Sequence, residues 1–176
     1  MSDQSKKIFL LTIIIGSFLI YSTIYYVRVF NDAPYKFTEF KSFTIQYGTV
    51  DSMLNKYDSA TGDYQYLNDK DSLVKMNLRL TTADLDTLHK NAAILGLWDF
   101  PSDERGYYKA GGKGVKPIRY IISFNYKRKS KKVIFDSNYP GDTRLKDANE
   151  HMIKKIKSVL ADAEDRASSI KKSNKS

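Results

Sequence analysis

Hydrophobic and polar positions follow two regimes along this chain. From Ile8 to Val27 (IFLLTIIIGSFLIYSTIYYV) twenty consecutive residues carry no charge. At 1.5 Å per residue such a run makes roughly 30 Å of helix, about the thickness of one hydrocarbon core. Its many β-branched residues are no objection, because in lipid a single segment satisfies its backbone only as a helix. Lys6 and Lys7 precede the run, Arg28 ends it, and Tyr21, Tyr25 and Tyr26 gather near its far end, where aromatic rings suit a membrane interface. A cleaved signal peptide is the competing reading. Its apolar stretch normally runs about 7–15 residues, shorter than this one. No small-x-small cleavage site follows, and Ala33 is succeeded by Pro34. The run is therefore read as a retained anchor. Basic residues are nearly balanced across it, with Lys6 and Lys7 before and Arg28, Lys36 and Lys41 after. A short basic tail before a first span usually stays in the cytoplasm, which puts the rest of the chain outside.

Beyond the linker the period changes to two. Phe43, Ile45 and Tyr47 alternate with Thr44 and Gln46, and a weaker run spans Met53 to Tyr57. Tyr64 and Tyr66 flank Gln65, and Val74, Met76, Leu78 and Leu80 share one face of a strand from Leu73. Turn formers separate these segments at 58–63 and 68–71. The pattern then turns helical. Thr81 with Asp84 reads as a capping box, Leu85, Leu88, Ala92 and Leu95 form an apolar stripe, and Gly96 stands where a left-handed C-cap belongs. Leu97, Trp98 and Phe100 follow as a core plug, ended by Pro101. Ser102 to Pro117 reads as a long polar loop. Ile118, Tyr120, Ile122, Phe124 and Tyr126 define the strongest strand, joined through Lys127–Lys132 to Val133–Phe135 as a hairpin. Asp142 can cap a last helix lined by Leu145, Ala148, Met152, Ile156, Val159 and Leu160, expected to fray after Leu160. The resulting order predicts an α+β fold: an antiparallel sheet of about five or six strands with two amphipathic helices on one face. The predicted organisation is a basic cytoplasmic tail at 1–7, a transmembrane anchor at 8–27, a linker at 28–37, the domain at 38–162 and a polar disordered tail at 163–176.

Composition narrows the chemistry. The chain has no cysteine and two histidines, which removes disulfides, thiolate sites, a Cys nucleophile and a multi-His zinc site. Lys113 follows Gly112, but a phosphate-binding loop would need glycine at 107 and Ser or Thr at 114, where Tyr107 and Gly114 stand. A dinucleotide turn would need glycine at 117, which is Pro117. His89, at the edge of the first stripe, is read as a surface residue. Acidic clusters lie in turns and none has calcium-loop spacing. No metal or cofactor is expected. Charge order is the one feature above background. Ten basic residues and no acidic one lie between Arg105 and Phe135, on a chain of net charge +9. The candidate contact for an anionic surface is Lys127, Arg128, Lys129, Lys131 and Lys132 in the hairpin, with Lys113 and Lys116 in the glycine loop.

The segment TxxDLxxLxxxxxxLGLWDFP, with its Gly96-Leu97-Trp98-Asp99-Phe100-Pro101 exit, resembles that of small bacterial cell-envelope domains of unknown function carrying a signal or lipid anchor. The likeness covers about Phe37 to Leu160, and the chain departs from the common form in lacking every cysteine. It implies a bacterial inner-membrane location and brings no catalytic residues. The expected function is that of a single-pass, membrane-anchored envelope protein whose extracytoplasmic domain is a non-enzymatic interaction module. Its partners would be the bilayer through 8–27, and anionic lipid headgroups, a cell-wall polymer or another envelope protein through the domain. Two alternatives stay open: an enzyme using an unrecognised carboxylate or tyrosine site, and a cytoplasm-facing domain binding anionic lipid or nucleic acid. Nucleic acid is disfavoured if the domain is extracytoplasmic. The oligomeric state is open.

Overall fold

The structure, a computed structural model, describes residues 3–32, 35–109 and 115–173. It divides into two units, Met1–Tyr35 and Lys36–Ser176. In the first, helix α1 (Asp3–Asp32) contains a 23-residue apolar window, Gln4–Tyr26, none of it buried. Three of its hydroxyls are paired within the helix: Thr12, Ser17 and Thr23 donate to the carbonyls of Ile8, Ile14 and Leu19 at 2.9, 3.0 and 2.8 Å. That removes the cost of placing them in an apolar medium. The helix continues to Asp32, so part of the expected linker is helical; positions 33 and 34 lie outside the described residues.

The second unit opens with a 3-10 turn, Phe37–Glu39. It then forms strands β1 (Phe40–Thr49), β2 (Ser52–Asp58), β3 (Asp63–Leu67) and β4 (Leu73–Asn77). Helix α2 (Thr82–Ile94) follows, then β5 (Asp103–Glu104), β6 (Ile118–Tyr126), β7 (Ser130–Asp136) and helix α3 (Thr143–Ser173). The sheet order is β4-β3-β2-β1-β6-β7-β5. All neighbours are antiparallel except β5 and β7, which run parallel. The α+β fold with helices on one face is as the periodicity predicts. The sheet has seven strands rather than five or six, and is mixed. The extra strand is β5, two residues long and set inside the segment read as loop, where alternation is too short to be visible.

Register explains the core. Phe43 opposes Phe124, Ile45 opposes Ile122 and Tyr47 opposes Tyr120, with Val133 and Phe135 continuing the same face on β7. The helices cover this face: Leu88 and Ala92 from α2, Met152, Ile156 and Leu160 from α3, all buried. Thr44, Gln46, Ser123 and Lys132 line the opposite, solvated face. The capping box at α2 forms, with Thr81 Oγ1 accepting from the Asp84 amide at 3.2 Å and Asp84 Oδ2 accepting from the Thr81 amide at 2.8 Å. Gly96 adopts φ +74°, the left-handed turn that glycine permits without a steric penalty. The turn delivers Leu97 into the core and sets Trp98 edge-on to Phe124 and Tyr126, at 5.4 and 5.9 Å between ring centres.

Helix α3 runs to Ser173, well past Leu160. Its extension is held by contacts distant in sequence. Ala163 is buried, Glu164 accepts from the Tyr66 hydroxyl at 2.7 Å, and Arg166 donates to Asp84 at 2.5 Å.

Candidate functional site

The basic hairpin joins β6 to β7 through Lys127, Arg128 and Lys129. Its turn is shorter than the charge run, because Ser130 already pairs with Asn125 and starts β7. Lys131 and Lys132 are therefore strand residues and alternate in direction. Lys132 is exposed beside Thr44, Ser123 and Asp58, in a shallow depression of about 390 Å³ on the solvated face. Lys131 turns inward and its ammonium donates to the Phe100 carbonyl. Burial holds that ammonium below the usual lysine range, against the pull of Asp99 and Glu104. Arg128 reaches back to Glu39, Nη2 to Oε1 at 2.5 Å and Nε to Oε2 at 3.1 Å, while the Lys127 amide donates to the Glu39 carbonyl at 2.8 Å. That guanidinium, with Lys36 and Lys127 nearby, lowers the Glu39 carboxyl below its ordinary range.

Lys116 forms a separate cluster. Its ammonium lies 2.7 Å from Asp51, which also accepts from the Tyr108 hydroxyl at 2.9 Å. Lys113 lies outside the described residues. The described members of the candidate set therefore do not form one surface. Lys127 and Lys132 are exposed, Lys129 is partly so, Arg128 is ion-paired at the chain entry, Lys131 is turned inward, and Lys116 is held by the β1–β2 turn.

Three buried polar groups escape the sequence reading. His89 is buried rather than on the surface, with Nδ1 2.7 Å from the Tyr126 hydroxyl and rings of Phe37 and Trp98 each 5.5 Å away. Burial lowers its pKa, which favours the neutral ring among these aromatics. The clue was present: His89 falls four residues after Leu85 and three before Ala92, on the apolar stripe. Glu104 of β5 is fully buried and accepts from the Asn149 side-chain amide at 2.6 Å. Desolvation raises its pKa to about 7. Asp136 is also fully buried and takes both arms of the Arg119 guanidinium, at 2.7 and 2.8 Å. It accepts the Gly106 amide as well, at 3.2 Å. Gly106 permits this close approach, since a Cβ there would fall 2.0 Å from the Asn138 side chain.

Among the described residues, no group of three or more His, Asp and Glu side chains converges as a metal site would require. No family model matches the chain, and neither a curated protein nor a solved structure resembles it.

Proposed function

We propose that this chain is a single-pass protein of the bacterial cytoplasmic membrane, and that its α+β domain serves as a non-enzymatic interaction module on the extracytoplasmic side. The observation that carries the reading is the apolar window Gln4–Tyr26, none of it buried, on a chain whose second unit has its own core. Exposed Ile, Leu and Phe side chains over 23 residues are costly in water and favourable in lipid. The domain's contact surface would include the turn of the β6–β7 hairpin. Lys127 in that turn is exposed, and an exposed cation is attracted to anionic headgroups.

The lack of cysteine makes the test direct. Ser158 is exposed on α3, so Ser158→Cys introduces a single accessible thiol. In intact cells a membrane-impermeant maleimide should label it, and the labelled chain should stay in the membrane pellet after alkaline carbonate extraction. Labelling only after permeabilisation would place the domain in the cytoplasm, and a soluble chain with a shortened N-terminus would remove the anchor.

A further inference from the structure

Strand β4 (Leu73–Asn77) ends the sheet, paired with β3 on one side and, among the described residues, with no strand on the other. The register fixes which backbone groups this leaves open. The Leu78 amide donates to the Gly62 carbonyl at 2.7 Å and the Asn68 amide to the Ser72 carbonyl at 3.1 Å, in line with Tyr64 opposite Met76 and Tyr66 opposite Val74. Ladder bonds of an antiparallel pair fall on alternate residues, so Ser72, Val74, Met76 and Leu78 face β3. The N–H and C=O groups of Leu73, Lys75 and Asn77 therefore point out along the edge, and all three residues are exposed. Such a row of open donors and acceptors is a template for one more strand.

The side chains give this edge a pattern. On the solvated face Leu73 opposes Leu67, and Leu54 stands on the same side of β2, two residues before Lys56. They are 44%, 36% and 39% exposed. This leucine row crosses three strands and stops at the edge. The neighbouring row is Lys56, Gln65 and Lys75, each opposite the next, and among the described residues neither lysine is ion-paired. On the helix side Val74 and Met76 are half-buried, opposite Tyr66 and Tyr64. A strand added here meets apolar positions at Leu73, Val74 and Met76 and a cation at Lys75.

Lys75 also discriminates between occupants. A second copy paired antiparallel in the symmetric register would set Lys75 against Lys75, and like charges directly opposite are destabilising. We propose that the β4 edge takes up an extended acidic–apolar segment of another protein as an added antiparallel strand, with Glu or Asp opposite Lys75 and apolar residues opposite Leu73, Val74 and Met76. Backbone bonds to Leu73, Lys75 and Asn77 supply affinity, and the alternating side chains supply selection. Strands β3, β2 and β1 separate this edge from the β6–β7 hairpin, so the inference does not depend on where the chain meets a membrane.

The test uses the full chain in nanodiscs of uncharged phosphatidylcholine, with empty discs as the blank. The probe is a fluorescein-labelled peptide, Gly-Ser-Thr-Val-Glu-Val-Leu-Ser-Gly, whose Thr-Val-Glu-Val-Leu core runs antiparallel from Asn77 to Leu73. Saturable one-to-one binding is expected by fluorescence anisotropy. Exchanging the peptide's Glu for Lys should weaken binding at least tenfold, and Lys75→Glu in the protein should reverse the preference between the two peptides. Methylating the backbone nitrogen of the peptide's Glu keeps every side chain but removes a bond to the edge, and it should also weaken binding at least tenfold. Lys127→Gln with Lys132→Gln should bind like the parent. The proposal is overturned if the Glu peptide does not bind above the blank, if the methylated peptide binds as tightly as its parent, or if Lys75→Glu leaves the preference unchanged. A dimer in detergent micelles that Lys75→Pro converts to a monomer, with an unchanged circular-dichroism melt, would assign the edge to a second copy and likewise overturn it.

Discussion

The Asn149 side-chain amide donates to the Glu104 carboxyl across 2.6 Å, tying helix α3 to the edge strand β5 with both residues fully buried. The same amide also donates to Leu145 at 2.9 Å, so its two donor hydrogens are used. Glu104 Oε1 and Asn149 Oδ1 are left as buried acceptors without a donor. An ionised carboxylate would leave both unmet, whereas a protonated one converts Oε1 into a donor. The Lys131 ammonium is the facing charge that favours ionisation, and desolvation outweighs it.

This pair predicts a stability that depends on pH in an unusual direction. The folded Glu104 pKa is raised from 4.5 to about 7. The folded state thus holds its proton more tightly than the unfolded one. Its contribution is complete below about pH 4.5 and is lost as pH rises through 7, a change of up to about 3 kcal/mol. Urea midpoints measured from pH 5 to 8 should fall. In Glu104→Gln, a neutral isostere that still accepts from Asn149, the fall should vanish and leave only the rise toward pH 6.5 that the depressed His89 pKa produces.

Arg119 and Asp136 predict a strong mutational coupling. The ion pair is bidentate, Asp136 is fully buried, and Arg119 is 19% exposed. Removing one partner strands the other charge, so Asp136→Ala or Arg119→Met alone should cost about 3–5 kcal/mol. Removing both should cost much less than the sum. A double-mutant cycle by chemical denaturation measures this, with an expected coupling above about 1.5 kcal/mol.

The fold was legible where its cause is local. Alternation in β1 and β6, the Thr81 cap and the Gly96 turn all reflect neighbouring residues, and each element formed there. Long-range pairing was not legible. Nothing near Glu104 marks it as buried, because its burial comes from β7 and from Asn149, 45 residues away. The end of α3 was hidden in the same way: its polar residues look solvated until Tyr66 and Asp84 are placed beside them. The basic run was legible as charge but not as geometry. Strand alternation sends Lys131 in and Lys132 out, and Arg128 finds Glu39, 89 residues earlier.

The extension of α3 should therefore matter to stability. Ending the chain after Asp162 removes the buried Ala163 and the Glu164 and Arg166 contacts. Both polar contacts are partly exposed, so the expected loss is modest, about 1–3 kcal/mol, with most of it from packing. A shift in the thermal midpoint measures it, and amide exchange in the parent should show protection reaching Arg166.

Residues 36–173 should fold without α1, since among the described residues every buried core side chain lies after Phe37. Trp98 reports on that core. It is only half-buried, so Trp98→Ala should cost about 2–4 kcal/mol, toward the lower part of the range for large aromatics. Trp98 fluorescence during unfolding of the 36–173 fragment checks the first point, and urea midpoints of the two forms check the second.

The hairpin lysines separate binding from stability in that fragment. Lys127 and Lys132 are exposed, and each cation near an anionic membrane is worth about 1 kcal/mol. Lys127→Gln with Lys132→Gln should therefore weaken co-sedimentation with phosphatidylserine-containing vesicles by roughly tenfold or more, while the melting temperature stays unchanged. Lys131→Gln should behave in the reverse way. Its ammonium is spent on the Phe100 carbonyl inside the fold, so stability should fall by about 1–2 kcal/mol and vesicle binding should hold. Binding should also drop between low and physiological salt, because exposed charges are screened over about 8 Å at 0.15 M. Vesicle binding that ignored salt and survived the double lysine change would show that this turn is not the membrane-facing surface.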